Sequence, residues 1–221
     1  MAGKKLAVVA SALAASGALW FLTSTEGVKI PVPAYRAMRV IDGDTFETKE
    51  RQIIRLTGIN APEIEYCYGP ESKLALEKLI LNQNLYIKVI FRNGFRLVSY
   101  VYNQDGSVSE QMLTEGMAYY QPKEGSNLPL QQAGEAARQA KLGIFGPNCT
   151  QETNPDQPNC VIKGNIREPG GKDKTYHFPG CGQYTQTVVE LYKGDQWFCT
   201  EAAAKKEGFA KGADCFEKTW K

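Results

Sequence analysis

Apolar and polar residues alternate along several short segments in the first half of the chain, and this period of two predicts β-strands. The predicted strands cover residues 39–41, 45–48, 52–56, 85–91 and 96–102. Asp42-Gly43, between the first two segments, is typical of a hairpin turn. Apolar residues spaced three and four apart predict helices over residues 62–81, 109–115 and 131–142, and a glycine follows each of the last two.

Five short strands with about three interposed helices predict an α+β domain built on a closed barrel. We place this domain at residues 34–147 and a linker rich in Asn, Pro and Gln at 148–159. Residues 160–221 predict a second, small α+β unit. Its expected elements are strands over 161–166 and 196–199, a tight corner over 176–181 and a helix over 201–207. Thr200 is placed to cap this helix and Gly208 to end it.

The composition is that of a globular protein, with 43% hydrophobic residues among 221. A net charge of +2 excludes a basic field over the whole surface, so any affinity for phosphate must come from a local cluster. The chain contains one histidine, His177, which excludes zinc sites that need two histidines on one helix.

The extreme N-terminus has the layout of a targeting segment. Lys4 and Lys5 precede an apolar run over residues 6–22, so residues 1–26 predict a signal peptide or a membrane anchor. The run is close to the ~20 residues that span a bilayer, so its length does not choose between the two. We therefore expect a secreted protein, or one anchored on the outer face of the cytoplasmic membrane.

Cysteine usage agrees with export. The six cysteines are Cys67, Cys149, Cys160, Cys181, Cys199 and Cys215. In an exported chain they favour disulfides, and one expected pair is Cys67–Cys149. The four C-terminal cysteines allow three connectivities, among which the pair Cys181–Cys215 is our first choice. The alternative for the C-terminal unit is a zinc site, because His177 and Cys181 have His-x₃-Cys spacing that Cys199 and Cys215 would complete.

Two segments near the predicted barrel strands combine groups that hold a hard cation and a phosphate. Asp42, Asp44, Asn60 and Glu63 supply oxygen atoms of the kind that Ca²⁺ prefers. Arg55 lies between them, and guanidinium groups bind phosphate through paired hydrogen bonds. Each motif alone is ordinary, since Asp-Gly-Asp is usually a turn and Ala61-Pro62-Glu63 a helix entry. Their joint occurrence is much less ordinary.

These segments resemble the staphylococcal nuclease-like (thermonuclease) family. Ile41-Asp42-Gly43-Asp44-Thr45 and Arg55-Leu56-Thr57-Gly58-Ile59-Asn60-Ala61-Pro62-Glu63 are similar to its two signature segments. Tyr68-Gly69-Pro70-Glu71-Ser72 is similar to the start of the family's helix, and Arg96 stands where the family keeps its second arginine. The resemblance runs from about Ala34 to Phe145.

The resemblance implies an OB-type barrel that acts as a Ca²⁺-dependent phosphodiesterase. It would cleave DNA and RNA, single strands being favoured, and leave 3′-phosphate products. Asp44, the side chain of Asn60 and the backbone carbonyl of Ala61 would hold one Ca²⁺, with Asp42 behind these ligands. The remaining expected roles are a general base for Glu63, phosphate binding for Arg55 and Arg96, and nucleotide contact for Tyr119 and Tyr120. For the two tyrosines, partial burial in the core is the alternative.

The chain departs from the family pattern at two places. Asn60 stands where active members usually have aspartate, which predicts weaker Ca²⁺ binding. Residues 92–96 differ from the family's usual sequence before the second arginine, so that both Arg92 and Arg96 are candidates for that role. We favour Arg96. Two further hypotheses follow. One is a catalytically silent barrel that binds nucleic acid or protein at the cell envelope, and the other is an envelope module whose function lies in the tail.

Overall fold

A computed structural model describes residues 34–122, 125–168 and 171–220. The predicted N-terminal targeting segment lies outside these ranges. Within the described ranges, no helix has the length and apolar character needed to cross a membrane.

Five strands form the main sheet of the first unit, in the order β1-β2-β3-β6-β5. They are β1 (Ala37–Val40), β2 (Thr45–Thr48), β3 (Ile53–Leu56), β5 (Tyr86–Asn93) and β6 (Arg96–Asn103), and β7 (Gly106–Ser107) pairs with the end of β6. Tyr35 and Leu85 exchange two backbone hydrogen bonds of 2.8 and 2.9 Å next to β1 and β5. These bonds join the two edges, so the sheet closes into the OB-type barrel that the sequence predicted.

Three helices in the described part of the first unit accompany the barrel. They are α1 (Gly69–Ile80), α2 (Val108–Thr114) and α3 (Leu128–Gln139), and a two-stranded ladder of β4 (Ile59–Asn60) and β8 (Tyr119–Tyr120) lies beside them. Leu76 and Ile80 of α1 and Met112 of α2 are fully buried against barrel residues such as Phe46 and Ile54. Burial of each such side chain is worth about 1.5–3 kcal/mol before entropy is counted.

The first helix starts later than predicted. Residues 62–68 form turns, because the Tyr66 N–H donates to the Glu63 carbonyl and the Gly69 N–H donates to the Tyr66 carbonyl, each at 2.9 Å. Tyr68 has a left-handed backbone with φ 66°, which interrupts any helix, and Pro70 then occupies the first turn. The prediction that the helix begins at Pro62 was therefore wrong, and Glu63 lies in a loop.

The C-terminal unit has a four-stranded sheet in the order β13-β10-β11-β14. Its elements are β10 (Ile162–Ile166), β11 (Lys174–His177), β13 (Gln196–Phe198), α4 (Glu201–Lys206) and β14 (Ala210–Lys211). The predicted cap of α4 is confirmed, because Thr200 Oγ1 accepts from the Ala203 N–H at 3.1 Å. The division into domains at residues 148–159 stays a prediction.

The two units are joined by packing as well as by chain. Within the predicted linker, β9 (Thr150–Gln151) pairs antiparallel with β12 (Val189–Glu190). Tyr192 packs in one apolar cluster with Tyr119 and Phe145, residues of the first unit. A disulfide between Cys67 and Cys149 fixes the loop before α1 to the start of this junction.

Candidate active site

One pocket brings together five of the residues that the sequence singled out, while Asp44 and Ala61, two of the expected Ca²⁺ ligands, lie outside its lining. It has a volume of about 310 Å³ and lies where the β1–β2 turn, β3, β4 and the start of β6 meet. Its polar lining includes Asp42, Arg55, Asn60, Glu63 and Arg96. Arg55 stands opposite Thr45 across the antiparallel β2–β3 pair, and Arg96 stands opposite Ile53 across the parallel β3–β6 pair. Strand pairing thus brings the two arginines to the same pocket.

The turn that carries Asp42 and Asp44 fits closely against the chain that follows β4. A Cβ atom on Gly43 would lie 2.6 Å from the Ala61 Cβ and 2.7 Å from the Ser72 Cβ, so only glycine fits there. The Asp44 N–H donates to Asp42 Oδ1 at 3.0 Å, and the Ala61 N–H donates to Asp44 Oδ2 at 2.9 Å. Asp44 is 2% exposed, and both its backbone N–H and its carboxylate are hydrogen-bonded.

A chain of hydrogen bonds crosses the floor of the site. Arg55 forms an ion pair with Asp44 Oδ1 and donates from its Nη2 to Asn60 Oδ1 at 2.5 Å. Asn60 Nδ2 in turn donates to the hydroxyl of Tyr119 at 2.6 Å. Arg55 and Asn60 are therefore fixed in orientation by partners on both sides.

Burial and neighbouring charges shift the pKa values of the ionisable side chains in the pocket. Burial raises the pKa of Asp42, and the nearby Arg55 partly offsets this effect. Partial desolvation raises the pKa of Glu63, and the negative charges of Asp42 and Glu65 add to it. Burial lowers the pKa of Arg55, although a guanidinium remains protonated in proteins. A raised pKa is what a carboxylate needs to accept a proton near neutral pH.

The oxygen donors of the site suit a hard cation. Asp44 Oδ1 and Asn60 Oδ1 both face the guanidinium of Arg55, so they converge on one positive charge. Carboxylate and amide oxygens are the ligands that Ca²⁺ takes in proteins. Asp42 lines the same pocket and adds a further carboxylate. The donor set therefore fits Ca²⁺, with one negative charge fewer than a set that has aspartate in place of Asn60.

The two predicted nucleotide-contacting tyrosines lie outside this pocket lining. Tyr119 is 8% exposed, and burial raises the pKa of its hydroxyl to about 12. Tyr120 accepts a hydrogen bond at its hydroxyl from the Asn127 N–H at 2.8 Å and packs against the barrel core. Tyr119 touches the site through Asn60, whereas Tyr120 contacts the loop before α3.

The cysteines resolve the alternatives left open for the C-terminal unit. Disulfides join Cys67 to Cys149, Cys160 to Cys199 and Cys181 to Cys215. Both expected pairs are confirmed. The alternative zinc set is not assembled among the described residues, because Cys199 belongs to a different disulfide from Cys181 and Cys215. His177 Nδ1 instead lies 3.0 Å from a carboxylate oxygen of Asp214.

Sequence reasoning missed several residues around the site. Phe91, Asn93 and Gln121 line the pocket, and Tyr192 and Lys193 of the C-terminal unit pack on Tyr119. The strand pattern predicted β5 but not which of its residues face the pocket, since most of β5 is exposed on both sides. The contact of Tyr192 with Tyr119 carries no local signal, because the two residues are far apart in sequence.

Comparisons with known proteins point in one direction. A family model described as Staphylococcal nuclease homologue matches residues 53–146, which includes Arg55, Asn60, Glu63 and Arg96. An uncharacterized endonuclease of Escherichia coli O157:H7 is 30% identical over 115 residues, covering 50% of this chain and 75% of the relative. An uncharacterized endonuclease of Haemophilus influenzae is 31% identical over 130 residues, covering 56% of this chain and 70% of the relative.

A plant relative shows how far the similarity extends. A probable staphylococcal-like nuclease of Oryza sativa subsp. japonica is 31% identical over 125 residues, which is 56% of this chain. The matched segment spans 32% of that relative's length. The similarity to this relative therefore concerns one part of each protein.

Proposed function

The chain belongs to the staphylococcal nuclease homologue family, and from this premise we propose that it is a Ca²⁺-dependent nuclease that hydrolyses phosphodiester bonds of DNA and RNA. The observation that carries the proposal is the meeting of two arginines, a glutamate, an aspartate and an asparagine in the lining of one pocket of about 310 Å³. This combination suits a phosphodiester, because its hydrolysis depends mainly on positioning and on neutralising charge.

The side chains divide the work of hydrolysis. Glu63 accepts a proton from water as the water oxygen forms a bond to phosphorus. Arg55 and Arg96 bind the non-bridging oxygens, where negative charge grows in the transition state. The bond to the 5′-oxygen breaks, and that oxygen takes up a proton from solvent. The products are a 3′-phosphate and a 5′-hydroxyl.

The same residues suggest how Ca²⁺ would be held. Asp44, Asn60 and the backbone carbonyl of Ala61 would bind the ion. Asp42 would lie outside this set of ligands, although its carboxylate lines the same pocket. When bound, the ion polarises a phosphoryl oxygen and neutralises part of its charge. The guanidinium of Arg55 is now bonded to Asp44 Oδ1 and Asn60 Oδ1, the oxygens that would bind the ion. Arg55 would therefore turn from these groups toward the phosphate when both ion and substrate are present.

The amide of Asn60 predicts a measurable weakness in Ca²⁺ binding. Replacing Asn60 with aspartate should lower the Ca²⁺ concentration for half-maximal activity by about tenfold, since a charged ligand attracts the ion more strongly. The measurement is a Ca²⁺ titration of the hydrolysis rate. Asn60→Ala serves as the matched control and should raise the same concentration. An unchanged midpoint in Asn60→Asp would show that this side chain is not a ligand.

Exposed aromatic side chains beside the pocket support a preference for single strands. Phe91 is 40% exposed and lines the pocket, and Phe95, at the tip of the β5–β6 hairpin, is 92% exposed. Unpaired bases stack on such side chains, at about 1–3 kcal/mol per base. Arg96, the neighbour of Phe95, lines the same pocket as Phe91.

Phe95 supplies a test of the substrate form. Phe95→Ala should raise KM for single-stranded DNA by about 5- to 100-fold and change KM for duplex DNA much less, because duplex bases are already stacked. Steady-state kinetics on both substrates measure the effect. Phe216→Ala is the control, since Phe216 is 74% exposed but belongs to the C-terminal unit. Equal effects on both DNA forms would contradict a stacking role.

The proposed function is tested by hydrolysis of single-stranded DNA with Ca²⁺ and with EGTA, followed by analysis of the product ends. Ca²⁺-dependent cleavage with 3′-phosphate ends would support it. Binding of DNA in a gel shift, without cleavage at any Ca²⁺ concentration, would favour the alternative of a silent binding module. Asn60 is the observation that favours this alternative, because it weakens the metal site.

We also propose that the protein acts outside the cytoplasm, secreted or anchored to the membrane by its N-terminal segment. Support comes from the basic-then-apolar order of residues 4–22 and from the three disulfides, which persist in oxidising compartments. Treatment of intact cells and cell fractions with a thiol-alkylating reagent would test this, because cysteines in disulfides do not react with it. Free thiols on protein confined to the cytoplasm would contradict it.

A further inference from the structure

A short segment of the C-terminal unit lies against the proposed active site. It comprises residues 189–194, that is, β12, the 3₁₀ turn Leu191–Lys193 and Gly194, and we refer to it as the brace. Tyr192 of the brace is 1% exposed and packs among Tyr119 and Phe145 of the first unit. The brace is therefore part of the core that supports the pocket.

The first contact of the brace reaches the pocket through Tyr119. The rings of Tyr192 and Tyr119 lie 5.7 Å apart between centroids, and Lys193 Nζ lies 5.3 Å from the centroid of the Tyr119 ring. The hydroxyl of Tyr119 accepts the 2.6 Å hydrogen bond from Asn60, and Asn60 accepts from Arg55. A shift of the Tyr119 ring would move the partner that orients Asn60.

The second contact reaches the loop that carries Glu63. A Cβ atom on Gly194 would lie 2.7 Å from the Tyr66 ring, so this glycine lets the two chains approach closely. Gly194 also has φ +92°, a conformation that residues with a Cβ rarely adopt. The N–H of Tyr66 donates to the carbonyl of Glu63 at 2.9 Å. The brace thus packs against Tyr66, in the turn that positions the proposed base Glu63.

The brace is itself held firmly. Glu190 accepts hydrogen bonds from Arg138 of α3 at 3.1 Å and, at shorter distances, from Tyr192 and Lys193. Asp195 accepts from the N–H of Glu190 at 2.9 Å and from the N–H of Ile166 at 2.8 Å. These bonds connect the brace to helix α3 on one side and to strand β10 on the other.

We propose that the brace is a positioning element of the active site: Tyr192 acts through Tyr119 on Asn60, and Gly194 acts through Tyr66 on Glu63. The C-terminal unit then takes part in catalysis without touching substrate. This inference rests on the proposed nuclease function. Misplacement of reacting groups by about 1 Å can cost on the order of 100-fold in rate, so a brace can matter as much as a direct contact.

The test compares four variants of the full chain on single-stranded DNA with Ca²⁺. Tyr192→Leu and Gly194→Ala should lower kcat by about 10- to 100-fold with KM changed by less than about threefold. Tyr192→Phe keeps the ring that contacts Tyr119 and should restore most of kcat. Tyr184→Leu is the matched control, because Tyr184 packs beside Lys163 on an apolar cluster of the C-terminal unit that does not contain Tyr192.

A second readout does not depend on activity. Hydrogen–deuterium exchange over residues 60–66 should quicken in Tyr192→Leu and stay unchanged in Tyr184→Leu. If wild type hydrolyses DNA but Tyr192→Leu and Tyr184→Leu lose kcat equally, or neither loses it, the brace proposal is overturned. If wild type shows no hydrolysis, the nuclease proposal fails, and exchange alone decides the brace: equal exchange in both variants overturns it.

Discussion

Glu63→Gln is expected to lower kcat by roughly 10²- to 10⁴-fold, which is the usual contribution of a general base. Glutamine keeps the size and the hydrogen-bonding oxygen of Glu63 but cannot accept the proton of the attacking water. Because Glu63 lies in an exposed turn, the free energy of unfolding should change by no more than about 0.5 kcal/mol. Single-turnover hydrolysis of a labelled single strand measures the loss, and thermal unfolding provides the check on folding.

The pH dependence of kcat/KM provides a second, independent test of Glu63 as the general base. Desolvation, together with Asp42 and Glu65, raises the pKa of Glu63 above its ordinary value of 4.5. Only the deprotonated carboxylate acts as a base, so kcat/KM should fall as pH drops through this raised pKa. The acid limb should therefore lie at higher pH than an ordinary glutamate would give, and it should be missing from the residual activity of Glu63→Gln.

Glu65→Gln is the matched control, because Glu65 is exposed and lies two positions further on, without lining the pocket. Its kcat should stay within about threefold of wild type. The acid limb should move to lower pH, since one of the negative charges that raise the pKa of Glu63 is gone. A Glu65→Gln variant as inactive as Glu63→Gln would refute the assignment of Glu63 as the base.

Arg96→Ala is the second change from which we expect a large effect, a fall in kcat of about 10²- to 10³-fold. This is the cost of removing one donor that stabilises charge in a transition state. Arg96 is exposed and lines the pocket together with Arg55 and Glu63, so its loss should leave folding intact. Steady-state kinetics at saturating Ca²⁺ measure the effect.

Arg92→Ala is the control that decides which arginine the site uses. Arg92 stands on β5 opposite Leu97 and is absent from the pocket lining, whereas its neighbours Phe91 and Asn93 line the pocket. Arg92→Ala should leave kcat within about threefold of wild type and raise KM slightly, through weaker attraction of the polyanion. The reverse pattern, with Arg92→Ala inactive and Arg96→Ala active, would reassign the second arginine.

Much of the barrel was predictable because its signals are local. Alternation marked the five main strands of the closed sheet but not the two-residue strand β7, and Asp42-Gly43 marked the turn that carries the acids. The cap of α4 was also a local signal, and Thr200 caps this helix as expected. Helix α3 begins at Leu128, earlier than predicted, because Asn127 caps it and Pro129 lies in its first turn. Propensity favoured a longer first helix, but the left-handed Tyr68 delays its start to Gly69.

What the sequence could not predict depends on contacts between distant residues. The β4–β8 and β9–β12 ladders have two residues in each strand, too few to show a period. The sequence left Tyr119 between nucleotide contact and burial, and the choice depends on Tyr192, which covers it from the C-terminal unit. The identities of the site residues followed from motifs, whereas their support came from this long-range packing.

The pairing of the cysteines determines which breaks in the chain would release a fragment. The Cys67–Cys149 bond encloses residues 68–148, and the other two bonds interleave, since Cys181 lies within the loop closed by Cys160 and Cys199. A protease that cuts once inside these loops leaves a nicked but covalently single molecule. Between Cys67 and Cys215, only a cut in the stretch from Cys149 to Cys160 yields two pieces without a reductant. Even those pieces would remain associated through Tyr192 and Tyr119, as a complex of two chains.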